Sequence, residues 1–248
     1  MIVSEQHVDI PSGGGRMRTL VVAPAAAGRY PGVVLYSDIF QLTGPHVRAT
    51  RRLAGHGFVV AAPEIYHRLE PPGAVIPFDD AGRTRGLDDA QRTTVAEFDA
   101  DCRSTLDHLA RDPRVSPGAL AVVGFCIGGH LAFRGALQPD VRATVAFYPT
   151  GVHNGKLGKD ADAGTLGRAK EIRGHLLLVY GATDPHVPED ARATIARGLA
   201  AAGTRVTTKT FPGEHAFMRD EGPRFDPEST DAAYREAIAF LKGALQPV

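Results

Sequence analysis

The chain is short of cysteine, of net charge and of long apolar runs, and each shortage removes a class of protein. Its 248 residues hold two cysteines, Cys102 and Cys126, too few for a disulfide scaffold, so a reduced, cytoplasmic setting is expected. Lys+Arg and Asp+Glu both total 28, which gives no bulk attraction to nucleic acid or to an anionic membrane. Met1 to Leu20 carries Glu5, Asp9 and three consecutive glycines where a secretory leader would need an apolar run. No later stretch is apolar for long enough to span a bilayer, and a soluble protein is expected. The ten histidines are scattered, without a His-x-x-x-His, a Cys-His cluster or an Asp-x-Asp pattern, so no metal is expected. Gly13-Gly14-Gly15 joins two strand-like segments and leads into no helix or lysine, unlike a phosphate-cradling loop. No repeat and no interdomain linker is visible, and one domain over residues 1–248 is expected.

What the chain does have is a recurrence of short β-branched or aliphatic runs: Met17 to Val22, Gly32 to Tyr36, Phe58 to Ala62, Ala119 to Gly124, Ala143 to Tyr148, His175 to Tyr180 and Val206 to Phe211. Each is bounded by Gly, Pro or Asp and reads as a buried strand. Helical spacing lies between them. In Thr94 to Arg111 the residues Val95, Phe98, Cys102, Leu106 and Leu109 fall three or four apart, one stripe that turns Cys102 toward a core. Pro45 to Gly55, Ile127 to Leu137, Pro188 to Ala202 and Ser229 to Leu245 read as further helices. This alternation implies a mostly parallel sheet covered on both faces. His7 to Ile10 and Met17 to Val22 leave no room for a crossover helix and should form an antiparallel edge hairpin. Pro63 to Gln91 and Gly151 to Gly174 are rich in Pro, Gly and charge, and read either as plain surface loops or as segments overhanging a pocket.

Within Leu120 to Gly129 an apolar strand runs into Gly124-x-Cys126-x-Gly128 and then into helix-forming residues. This is the nucleophile-elbow pattern of the α/β-hydrolase fold with cysteine in the serine position. The sharp strand-to-helix turn leaves no room for Cβ atoms two residues either side of the nucleophile. Free N–H groups of the following helix point at the sulfur and can hold an oxyanion. A buried inert thiol would be the ordinary reading of Cys126 alone. The rest of the triad order is present, however. Asp184 follows the strand-like His175 to Tyr180, where it could otherwise be a turn or capping residue, and His215 follows the last strand in Phe211-Pro-Gly-Glu-His215. Glu214 and His186 are weaker candidates, the latter an exposed turn residue.

Gly124-Phe-Cys126-Ile-Gly128-Gly, Gly181-Ala-Thr-Asp184-Pro-His-Val-Pro and Gly213-Glu-His215-Ala-Phe-Met-Arg219, in that order, resemble the dienelactone hydrolases over nearly the whole chain. The resemblance implies an α/β-hydrolase fold, a Cys126-His215-Asp184 triad, no cofactor, and opening of an enol-lactone ring, dienelactone to maleylacetate, in chloroaromatic degradation. It implies an acid that holds the resting cysteine's proton at Asp38, where the family has the longer glutamate. It also implies an oxyanion hole from the backbone N–H groups of Ile127 and Ile39, and two arginines that grip the substrate carboxylate. One of these is Arg219; the other falls near Arg83, with Arg85 close enough to compete. Leu87 stands where a family tyrosine is expected, a departure that bears on substrate choice.

The expected chemistry is attack by Cys126 on a lactone or ester carbonyl through a thioester intermediate. A thiolate leaves a tetrahedral centre more readily than an amine does, so an activated ester or lactone suits this nucleophile better than an amide. Two rival readings remain at this level: a Cys-dependent esterase or thioesterase of broader specificity, and a ligand-binding or redox-responsive protein on the same fold in which Cys126 senses oxidants.

Overall fold

Gly13 and Gly14 both take positive φ, 55° and 79°, which a two-residue hairpin turn requires and side chains resist. They link β1 (Val3–Ser12) to β2 (Gly15–Pro24) with Ser12 opposite Gly15, so the expected hairpin is found, with strands longer than their apolar stretches. The structure, a computed structural model, describes residues 1–246. The remaining strands are β3 (Tyr30–Tyr36), β4 (Val59–Pro63), β5 (Val115–Phe125), β6 (Val141–Phe147), β7 (His175–Gly181) and β8 (Val206–Phe211). They form one eight-stranded sheet in the order β1-β2-β4-β3-β5-β6-β7-β8. β2 runs antiparallel to both neighbours, and every pair from β4 to β8 is parallel.

The described residues hold six α-helices, α1 (Gly44–Gly55), α2 (Asp80–Arg92), α3 (Val95–Arg111), α4 (Ile127–Gly135), α5 (Glu189–Ala201) and α6 (Pro227–Ala244), and all but α2 pack on the faces of the sheet. Alternate side chains of β3 divide between the two faces, as the strand period of two demands. Val33 and Leu35 pack with Leu53 of α1 and Leu241 of α6, whereas Val34 and Tyr36 pack with Phe98 and Leu106 of α3 and Leu131 of α4. Ile195 and Leu199 of α5 build a third cluster with Leu176 and Leu178 of β7. Cys102 is buried in the α3 stripe, where burial pushes its thiol up to about 12, so it carries no thiolate near neutrality.

α2 departs from the reading of Pro63 to Gln91 as a loop. Its sequence has no apolar stripe, and it buries only Gly82, Gly86, Asp89 and Ala90. Small residues let its backbone approach the body closely, and the Asp79 side chain caps it by accepting from the Gly82 N–H at 2.7 Å. This helix and the 150–165 segment overhang the carboxyl ends of β3 and β5. The chain leaves β3 toward β4 on one side and returns as β5 on the other, which opens a crevice at the point where ligands bind in open α/β sheets.

Candidate active site

Cys126 stands between β5 and α4 with φ 59° and ψ −120°, a backbone state that non-glycine residues rarely hold. A Cβ on Gly124 would collide with the Gly128 carbonyl oxygen, and one on Gly128 with that of Ser37, so both glycines are sterically required. Three other non-glycine residues have positive φ: Gln41, Tyr148 and Ala216. Of these four, Cys126 and Ala216 line one cleft and the Tyr148 ring packs on His215.

His215 lies in the segment between β8 and α6, with Nδ1 2.8 Å from Asp184 Oδ2. Asp184 Oδ1 accepts from the N–H groups of His186 at 2.7 Å and Val187 at 3.2 Å, which fixes the carboxylate beyond the end of β7. Burial works to raise the Asp184 pKa, but the hydrogen bonds from His215 and these amides hold it below the usual range. For His215 burial opposes the charged form, yet the negative charge of a Cys126 thiolate and the hydrogen bond to Asp184 lift its pKa to about 9. The imidazole thus lies beside the elbow sulfur at the cleft and is hydrogen-bonded on its far side to the buried carboxylate.

The cleft has a volume of about 1190 Å³ and is lined by Cys126 and His215 at its floor. Ile39 and Ile127 flank them, and within the described residues nothing accepts a hydrogen bond from either backbone N–H. Two free donors beside a sulfur can stabilise an oxyanion. Arg83 and Arg219 both line the cleft. Arg85 does not; its guanidinium is held by Glu70, with Nε 2.6 Å from Oε1.

Asp38 is buried, but behind the cleft rather than in it. Its Oδ2 is bound by Arg219 Nη2 and lies 3.7 Å from His46 Nε2, while Oδ1 accepts from the Phe40 N–H at 2.9 Å. No hydrogen bond joins it to Cys126 among the described residues, so a resting-acid role would require the side chain to leave Arg219. What Asp38 does in this arrangement is hold the guanidinium, whose carbon sits 4.1 Å from the centre of the Phe78 ring and 4.9 Å from that of Phe40. Leu87 lines the cleft and is half exposed, leaving an apolar rather than a hydroxyl-bearing wall.

Sequence reasoning missed two aromatic supports of the imidazole. The Tyr148 ring meets that of His215 edge-on at 5.1 Å, and His186, exposed as expected of a turn residue, also packs edge-on against it at 4.6 Å. Its position two residues after Asp184 was the available signal for His186; nothing in the local sequence of Tyr148 announces its role.

An eight-stranded, mostly parallel sheet with a strained strand-to-helix elbow and a histidine–aspartate pair beyond later strands defines an α/β-hydrolase. The sequence profile of the dienelactone hydrolase family matches residues 17–245, and the chain belongs to that family. A carboxymethylenebutenolidase of a Pseudomonas species is 29% identical over 93% of this chain and 91% of its own. A Saccharomyces cerevisiae protein provisionally named as the same enzyme is 34% identical over 97% of this chain and 90% of its own. A crystal structure from Klebsiella pneumoniae, provisionally named a dienelactone hydrolase, superposes with a TM-score of 0.86 at 26% identity and covers 97% of this chain and 99% of that one. The chain is accordingly a dienelactone hydrolase-like hydrolase of esters or lactones.

Proposed function

We propose that this hydrolase opens an enol-lactone of the dienelactone type, or cleaves a related ester that bears a carboxylate, with Cys126 as nucleophile, His215 as acid and base, and Asp184 orienting the imidazole. The observation that carries the reading is the Asp184–His215 hydrogen bond of 2.8 Å, with His215 and the elbow cysteine lining the same cleft. The Cys126 thiolate attacks the carbonyl carbon, and the oxyanion so formed is held by the N–H groups of Ile39 and Ile127, each worth roughly 3 kcal/mol in related chemistry. The ring C–O bond then breaks, the departing enolate takes the His215 proton, and a thioester on Cys126 remains. Neutral His215 next removes a proton from water, which attacks the thioester; the carboxylic acid leaves and the thiolate–imidazolium pair is restored.

Arg219 and Arg83 grip the substrate carboxylate. Arg219 retains donors for this purpose while bound to Asp38, since a guanidinium carries five N–H groups. The family membership and the relatives' printed names support the lactone; the size of the cleft and the apolar wall at Leu87 favour a second reading, an esterase accepting larger acyl groups. A panel comparing dienelactone with aryl esters separates the two. Cys126→Ala is expected to abolish turnover of all of them while the circular-dichroism spectrum is retained, and undiminished hydrolysis by that variant rejects the mechanism. Arg219→Ala is expected to raise KM about tenfold or more for carboxylated substrates and little for neutral ones.

A further inference from the structure

The cleft has a cationic wall that the proposed mechanism does not use. Lys156 and Lys159, two of the chain's five lysines, line it on the 150–165 segment. Neither has an acidic partner among the described residues, in contrast to Lys209, whose Nζ lies 3.1 Å from Glu236. The acids that share the cleft are Asp79, Asp80 and Asp160. Asp79 accepts from Gly82 N–H at the start of α2, Asp160 accepts from Val95 N–H at 2.7 Å at the start of α3, and Asp80 lies in the first turn of α2. Each helix N-terminus offsets about half a charge, and against these three acids the lining holds Arg83, Lys156, Lys159, Arg219 and Arg224. In a chain with no net charge, the cleft therefore keeps a local surplus of positive charge beyond Arg219.

The lysines also sit on a fixed support. Lys159 N–H donates to Thr93 O at 2.9 Å, Ala163 N–H to Gly155 O at 2.8 Å, and the side chains of Leu157 and Ala163 are buried in the core. From α4, the helix that begins at Cys126, Arg134 donates to Ala163 O at 2.8 Å and Thr165 Oγ1 at 3.0 Å. His130 bridges Thr150 O at 2.9 Å and Thr165 Oγ1 at 2.8 Å. Burial holds the His130 pKa down to about 3, so this bridge stays neutral and does not loosen as the pH falls toward ordinary acidic values. The backbone that bears both lysines is thus registered to the helix that follows the cysteine, and their exposed side chains extend from it at the cleft.

We propose that Lys156 and Lys159 form a second anion subsite, so that the preferred acyl group carries two acid groups, one for the arginines and one for the lysine pair. The inference rests on the reading of the cleft as an ester- or lactone-cleaving site. Three para-nitrophenyl esters share one leaving group and differ in acyl charge: acetate, neutral; the half-ester of succinate, one carboxylate; the mono-ester of tricarballylate, two. In the double variant Lys156→Ala, Lys159→Ala, KM for the tricarballylate ester is expected to rise roughly three- to tenfold at unchanged kcat, while the other two change less than about twofold. Added salt is expected to reduce this difference between wild type and variant. Equal KM changes for all three esters, or none for the tricarballylate ester, overturn the subsite. Calorimetric titration with tricarballylate itself reads the subsite without turnover: weaker binding by the double variant supports it and equal binding overturns it. Failure of the wild type to hydrolyse any of the esters counts instead against the proposed chemistry.

Discussion

At the scale of single residues, the site is organised by one imidazole set between the Asp184 carboxylate and the elbow sulfur. His215 has its pKa lifted to about 9 although burial acts against the charged form. An unfolded histidine titrates near ~6.5, so the folded state binds this proton more tightly; the stabilisation from the charged pair is complete below about 6.5 and is lost as pH rises through about 9. Removing the sulfur removes the strongest influence that raises it. In Cys126→Ala the His215 imidazole resonance is expected to titrate at least about one pH unit lower than in the wild type, and identical midpoints in the two proteins would contradict the coupling. That Cys126, Asp184 and His215 come together was legible in the sequence because elbow glycines and chain order leave a local signature, whereas Arg83 and Arg219 were expected only from the family resemblance. The environment of Asp38 was not legible. Whether its carboxylate reaches Cys126 or Arg219 depends on packing between the β3–α1 and β8–α6 connections, 181 residues apart at the Arg219 contact.

At the scale of elements, the elbow and α2 show opposite kinds of legibility. The β5–α4 turn is written in two glycines, and Gly128→Ala is expected to drive a methyl group into the Ser37 carbonyl, lowering stability by about 2–3 kcal/mol in denaturant titration and reducing turnover. Helix α2 is hidden because its packing face is Gly82, Gly86, Asp89 and Ala90 rather than leucines at helical spacing. Asp89 is an exposed-looking residue in sequence and a buried one in the fold; its Oδ2 has no hydrogen-bond partner among the described residues. Burial, then the neighbouring Glu70 carboxylate, pushes its pKa above the ordinary aspartate range. For a carboxyl raised in this way the protonated form favours folding, so its contribution declines as pH rises from the ordinary value of ~4 toward neutrality. Asp89→Asn is therefore expected to raise Tm at pH 8 more than at pH 4; a gain confined to the acid side would reverse the sign of this argument.

At the scale of the whole molecule, the alternation of strands and helices was readable because buried parallel strands and amphipathic helices carry distinct periods. What the periods do not convey is how the edge hairpin is fastened to the rest. Asp101 of α3 is buried and accepts from Ser12 Oγ at 2.5 Å and from both terminal nitrogens of Arg68 at 2.7 Å and 2.8 Å, with His67 Nε2 at 3.3 Å. One carboxylate thus ties the end of β1, the segment after β4 and the middle of α3. Breaking a buried charged network leaves uncompensated donors, and Asp101→Ala is expected to cost about 3 kcal/mol of unfolding free energy. A loss under about 0.5 kcal/mol would show the hairpin to be held by its apolar face alone.

The central claim is that Cys126 becomes acylated, and it is tested most directly by acid quenching the protein within milliseconds of mixing with an excess of the para-nitrophenyl half-ester of succinate and mapping the adduct by peptide mass spectrometry. A succinyl thioester on the peptide containing Cys126, formed in a burst and absent from Cys126→Ala, is the predicted result. Turnover of the ester by Cys126→Ala, or a succinyl group carried through the burst by any other residue, would contradict it.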